Sequence, residues 1–140
     1  MTPRVEIERC PTDDIPALFG FAKSVFADVP GWSDARVLDA LEHDLLFLAR
    51  EEGELAGYVA LRHEADGSFV IEQLFVVPGH ERRGVGHRLL DYAEGYAIVE
   101  RAPTLRIVVE EENLRARDFY TRAGFAPVGK EIVERRLPAG

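Results

Sequence analysis

Disulfide chemistry is closed to this chain. One of its 140 residues, Cys10, is a cysteine, so no internal bridge can form and nothing implies an oxidising compartment. Long hydrophobic runs are missing too. No apolar stretch approaches the roughly 20 residues that span a bilayer. The opening "MTPRVEIERC" is charged and lacks an apolar centre, so no signal peptide is expected. Positive charge is scarce: 17 Lys and Arg against 25 Asp and Glu leave a net charge of -8. General nucleic-acid binding is therefore not expected, because neutralising phosphates needs a basic surface. Metal-ligand spacing is absent as well: His43, His63, His80 and His87 form no HExxH or related pattern and read as surface residues. Repeats, low-complexity segments and linkers do not occur. These exclusions leave one soluble domain over residues 1–140, with no membrane or nucleic-acid partner and a cytoplasmic location as the default.

What is present is an ordinary globular composition, 46% hydrophobic and 30% charged, enough to bury one core at this length. "RVEIER" alternates as a strand does. After a cap at Thr12 or Asp13, Ile15, Leu18, Phe19, Ala22, Val25, Phe26 and Val29 recur at helical steps. Pro30-Gly31 ends that helix, and Ser33 or Asp34 can cap a second one carrying Val37, Leu38 and Leu41. "LLFLAREEGELAGYVALRHEADGSFVIEQLFVVP" reads as three strands joined by turns at Glu52-Gly53 and Asp66-Gly67. The third of them is apolar on both faces and therefore central in a sheet. Val85, Leu89, Ala93, Tyr96 and Ala97 form a helical stripe, "TLRIVVE" a strand, and "NLRARDFYTRAG" a helix ended by Gly124. "FAPVG" and "EIVERRL" close the chain as a strand pair. The order βααβββαβαββ predicts an α/β (α+β) layer domain, a mixed sheet with helices on both faces.

The segment "VVPGHERRGVGHRLL" joins the fourth strand to the third helix and holds Arg82, Arg83, Gly84 and Gly86. A Walker A loop fails here, because Val85-Gly86 stands where its lysine belongs. A dinucleotide fingerprint fails as well, because Leu89 takes the place of its third glycine. Two readings survive: glycines that only let the chain turn, or a diphosphate cradle. In the second, unpaired N–H groups and the positive end of the helix dipole face an anion. Gly84 and Gly86 then keep side chains out of its way, and Arg82 and Arg83 add charge at the rim.

"IEQLFVVPGHERRGVGHRLL" followed by "VVEEENLRARDFYTRAGF" resembles the GNAT superfamily of acyl-CoA-dependent N-acyltransferases. Its diphosphate motif Q/R-x-x-G-x-G/A corresponds to Glu81 through Gly86, with Glu81 departing from the usual Gln or Arg. Its later motif N-x-x-A-x-x-L/F-Y-x-x-x-G-F corresponds to Asn113, Ala116, Phe119, Tyr120, Gly124 and Phe125. The resemblance implies a mostly antiparallel sheet of six to seven strands, splayed between the fourth and fifth. Acetyl-CoA would lie there as co-substrate. It implies main-chain contacts to the cofactor from Leu74, Phe75 and Val76, diphosphate contacts near Arg82, Arg83, Gly84, Gly86 and His87, and a further contact from Asn113. Many members of the superfamily dimerise, so a homodimer is admitted.

Direct acyl transfer makes three chemical demands. The amine must lose a proton, the carbonyl oxygen needs a pre-aimed donor such as the Val76 N–H, and the leaving thiolate, of parent pKa about 8.5, needs an acid. Tyr120 matches the family's tyrosine acid, although the same residue also continues an apolar helix stripe. Glu72 is the candidate base: an acid in an apolar run, on the face of Val70, Leu74 and Val76 by simple alternation. It reads equally as a salt-bridge partner, and solvent can serve as base. Cys10 reads as a small buried hydrophobe. Glu110, Glu111 and Glu112 are a solvated turn or, with Asp28 and Asp34, attractants for a cationic amine. Trp32 lines the acceptor site or plugs a hydrophobic gap. The expected activity is N-acetyl transfer from acetyl-CoA to a primary amine of a small molecule in a ternary complex. The alternatives are a protein or peptide amine as acceptor, and a non-catalytic CoA-binding module.

Overall fold

The computed structural model describes residues 4–10, 13, 15–26, 33–43, 45–80, 84–109, 113–129 and 132–138. Its elements follow the expected order: β1 (Val5–Arg9), α1 (Ile15–Phe26), α2 (Asp34–His43), β2 (Leu45–Glu51), β3 (Glu54–His63), β4 (Phe69–Val76), α3 (Val85–Val99), β5 (Thr104–Val108), α4 (Leu114–Arg122), β6 (Ala126–Gly129) and β7 (Ile132–Arg136). The strands form one seven-stranded sheet in the order β1-β2-β3-β4-β5-β7-β6. β1 to β4 pair antiparallel with their neighbours; α1 and α2 lie between β1 and β2, whereas tight turns such as Glu52-Gly53, with Gly53 at φ 85°, join β2 to β3 and β3 to β4. β4 and β5 run parallel, which requires a long crossover, and α3 supplies it. The Ser33 hydroxyl accepts from the Arg36 N–H at 3.2 Å, as its reading as a cap for α2 requires. Thr12 lies outside the described residues.

Alternation along the strands sorts the apolar side chains onto two faces. One face carries the larger core, in which Val85, Leu89, Leu90, Ala93 and Ala97 of α3 meet Phe47, Val59, Leu61, Phe69 and Ile71; Tyr120 and Phe125 belong to it as well. On the other face Leu18 and Ala22 of α1 and Val37 and Leu41 of α2 cover Leu46, Leu48, Tyr58, Ala60 and Phe75. Cys10 is half-buried against this smaller core.

Two irregularities in β4 open the sheet and turn its side chains. The pairing of β4 with β5 covers three residue pairs, Phe69↔Leu105, Val70↔Arg106 and Ile71↔Ile107. β4 continues to Val76 without that neighbour, so a gap opens in the middle of the sheet. At the same point the register with β3 passes from Leu61↔Ile71 to Ala60↔Gln73. Glu72 is thus a bulge residue, and a bulge reverses the phase of everything after it. Simple alternation placed Glu72 on the face of Leu74 and Val76. Instead Leu74 and Val76 pack on the α3 core, while the Glu72 carboxylate turns toward Arg62 Nη1, 4.0 Å away, and Arg62 bonds Asp39 of α2. Gly57 of β3 has a steric duty beside this gap: a Cβ there would overlap the Phe75 carbonyl oxygen.

Candidate active site

Where β4 and β5 part, a cleft of about 590 Å³ opens, floored by Leu74, Phe75 and Val76 and walled by the starts of α3 and α4. Phe75 turns its ring to the other face, edge-on to Tyr58, so its main chain is what it offers the cleft. The size suits a small organic ligand.

The entry to α3 is built by a turn. Pro78 and Gly79 reverse the chain, Gly79 adopts φ 98°, and the His80 N–H donates to Val77 O at 3.0 Å. Gly84 then starts the helix in the left-handed region at φ 80°, and no side chain among the described residues caps it. The first bond of α3 runs from the Arg88 N–H to Gly84 O. The amides of Val85, Gly86 and His87 therefore precede the helix's own acceptors and point out of its end. Gly86 leaves room: an added Cβ would meet nothing closer than Val76 Cγ2 at 3.6 Å and Phe119 Cζ at 3.7 Å. His87 is exposed and its ring lies 4.7 Å from that of Phe119. Arg82, Arg83 and Glu81 lie outside the described residues, as do Asp28, Trp32 and Glu110 to Glu112.

α4 brings two of the expected residues to the same cleft. Asn113 is its N-cap, and Asn113 Oδ1 accepts from the Ala116 N–H at 3.2 Å. Tyr120 lies two turns further on with 6% of its surface exposed, held edge-on by Phe119 and Phe125, and it lines the cleft. Burial pushes its hydroxyl well above the usual tyrosine value, so it keeps its proton throughout the neutral range. Tyr120 thus belongs to the core, as its helix stripe predicts, and also lines the cleft.

The geometry thus gathers Leu74, Phe75, Val76, Gly84, Gly86, His87, Asn113 and Tyr120 around one cavity. Glu72 does not line it; its side chain is 15% exposed at the bulge. Beside it the Tyr58 hydroxyl donates to Gln73 Oε1 at 2.5 Å, and Gln73 Nε2 is buried with no hydrogen-bond partner among the described residues. Sequence reasoning missed His80 and Arg115 in the lining. Arg115 carries a local signal, a cation two residues after a helix cap; the place of His80 depends on a distant partner. Among the described residues no cluster could hold a metal ion, and no helix is long and apolar enough to cross a membrane.

An uncapped helix start, a bare glycine and a half-paired strand around one cleft invite comparison with known proteins. The sequence model of the Acetyltransferase (GNAT) family matches residues 14–125. The chain belongs to the GNAT family. It is 35% identical over 79 residues to a streptothricin acetyltransferase of Streptomyces lavendulae, covering 56% of this chain and 42% of that protein. Over 75 residues it is 35% identical to the peptidyl-lysine N-acetyltransferase YiaC of Escherichia coli, covering 54% and 45%. The chain thus spans about half the length of the curated relatives it matches. Among solved structures, the PaiA N-acetyltransferase of Thermoplasma acidophilum in complex with coenzyme A superposes with a TM-score of 0.77 at 20% identity, over 96% of this chain and 99% of that one. This GNAT domain shares that fold, a mixed sheet opened between its fourth and fifth strands.

Proposed function

We propose that this GNAT domain is an N-acetyltransferase that carries acetyl from acetyl-CoA to a primary amine of a small molecule by direct attack in a ternary complex. One observation carries the reading: the start of α3 and Tyr120, whose buried hydroxyl keeps its proton, line the same cleft. The residues fit coenzyme A. Unpaired amides at a helix start suit a diphosphate, and a strand edge without a neighbour suits an amide-bearing arm. When bound, acetyl-CoA supplies an activated acyl thioester.

Every other task falls to the chain. The amides of Val85, Gly86 and His87 take the diphosphate, and Asn113 contacts the cofactor through the amide nitrogen its capping role leaves over. Leu74, Phe75 and Val76 hold the arm along β4, with the Val76 N–H directed at the carbonyl oxygen as it gains charge. Tyr120 donates its proton to the departing sulfur. Glu72 accepts the amine's proton from the face of α1 and α2. Its half-buried carboxylate beside the bulge, and the unused donor of Gln73, support an acceptor arriving from that side. A net charge of -8 favours a cationic acceptor.

Thiol release from acetyl-CoA across small amines and lysine peptides tests this, alongside calorimetry with coenzyme A. The expected result is amine-dependent release, strongest with small amines. Peptides that outcompete them, as the peptidyl-lysine relative makes conceivable, would change the acceptor class. Coenzyme A binding with no release from any acceptor would make the domain a binding module.

A further inference from the structure

His80 is exposed by sequence habit but not in fact. Its side chain is 15% exposed, and Nδ1 lies 3.1 Å from Oε1 of Glu51, a carboxylate at the end of β2 that is itself only 6% exposed. The other ring nitrogen, Nε2, lies 3.8 Å from Glu54 Oε2, beyond hydrogen-bond reach. The same imidazole lines the cleft. Burying a carboxylate is costly unless donors meet it, and the imidazole Nδ1 is placed to supply one to Oε1.

The contact has a structural address. His80 stands midway between the end of β4 and the donor amides of α3. The chain there is already tied down once, by the Val77 N–H donating to Ala56 O at 2.7 Å. The Pro78-Gly79 turn then sends the connection back over the β2–β3 hairpin, where the imidazole meets Glu51. Main chain holds the first point and a side-chain pair the second.

Resting on the coenzyme A reading of the cleft, we propose that His80 and Glu51 are a positioning pair: the Nδ1–H to Glu51 contact holds the chain at His80, ahead of α3, and with it the aim of the amides that receive the cofactor's diphosphate. His80 acts through Glu51 and not by touching phosphate. The pair belongs to the cost of ordering the connection, which appears in affinity when it is left to binding.

Three substitutions separate these roles, read by calorimetry with coenzyme A and by acetyl-CoA kinetics. In His80→Asn the amide nitrogen falls near the Nδ1 position and keeps the donor to Glu51. In His80→Gln it reaches toward the Nε2 position instead, and His80→Ala offers no donor. Ala and Gln are expected to raise the Kd by about tenfold, Asn by no more than about twofold, with kcat at saturating acetyl-CoA within about twofold throughout. A cooperative melt without ligand shows that the variants fold, with Ala and Gln expected several degrees below the wild type because Glu51 loses a donor. Gln binding better than Asn would overturn the proposal in favour of direct phosphate contact through Nε2. Unchanged affinity in all three, or a loss confined to kcat, would overturn it as well. Wild-type protein that fails to bind coenzyme A would instead strike the underlying functional reading, and the positioning role with it.

Discussion

Two helices open onto one cleft, and they begin differently. α4 starts at Asn113, whose side chain satisfies the Ala116 amide; α3 starts at Gly84, a residue with no side chain to offer and a positive φ. A helix that caps itself has used one of the donors it would otherwise present. A helix that begins on bare glycine keeps them for something else, and it is the longer helix, with its macrodipole, that does so. The contrast separates a helix that holds a side chain in place, Tyr120, from one whose end we propose as the binding group.

The largest effect is expected from filling the bare end. Gly86→Ala meets only ordinary contacts and should fold and bind nearly as the parent does, whereas Gly86→Glu sets a carboxylate among the phosphate donors. Titration with coenzyme A should show affinity falling by more than about 100-fold in the Glu variant. Intact binding there would remove the cradle assignment. Next comes the far end of α4. Tyr120→Phe should lower turnover by about 10²-fold with cofactor affinity within about threefold, and a parallel loss of both would make the residue purely architectural.

Alkaline unfolding probes the same side chain. Burial raises the hydroxyls of Tyr58 and Tyr120 well above their ordinary value near 10. The folded protein therefore keeps these protons after the unfolded chain has released its own. Stability is full below about pH 10 and falls as pH climbs toward the folded values, by up to about 1.4 kcal/mol per pH unit for each tyrosine. Urea melts between pH 8 and 11.5 should show the decline, and Tyr120→Phe should remove about half its slope. The smallest effect belongs to the self-capped helix. Asn113→Ala should cost about 1 kcal/mol of stability, with a modest rise in acetyl-CoA KM; a loss of affinity as deep as that of Gly86→Glu would erase the distinction between the two helix ends.

Much of this was legible in the residues. The order of elements followed from periodicity and from punctuation at Gly53, Gly67 and Gly124, because those signals are local. Gly84 and Gly86 stood out because they precede a helical stripe, and Asn113 and Tyr120 because their segment resembles the family's later motif. Long-range pairing was not legible. The bulge at Glu72 depends on which residue of β3 faces which residue of β4, and one skipped partner turned Leu74 and Val76 to the opposite face. His80 looked like one more polar residue in a loop, since nothing nearby announces that Glu51 is buried beneath it. Strand alternation marks a surface only while the register holds.

The seam between β4 and β5 has a mechanical meaning. Three residue pairs fasten a five-residue strand to an eight-residue one, so the sheet is stitched along part of its midline and unstitched along the rest. A guest that bonds to the free stretch of β4 and to the helix ends across the gap completes the missing rungs. The domain should accordingly stiffen as a whole when loaded, its melting temperature climbing with the logarithm of ligand concentration once the site is saturated.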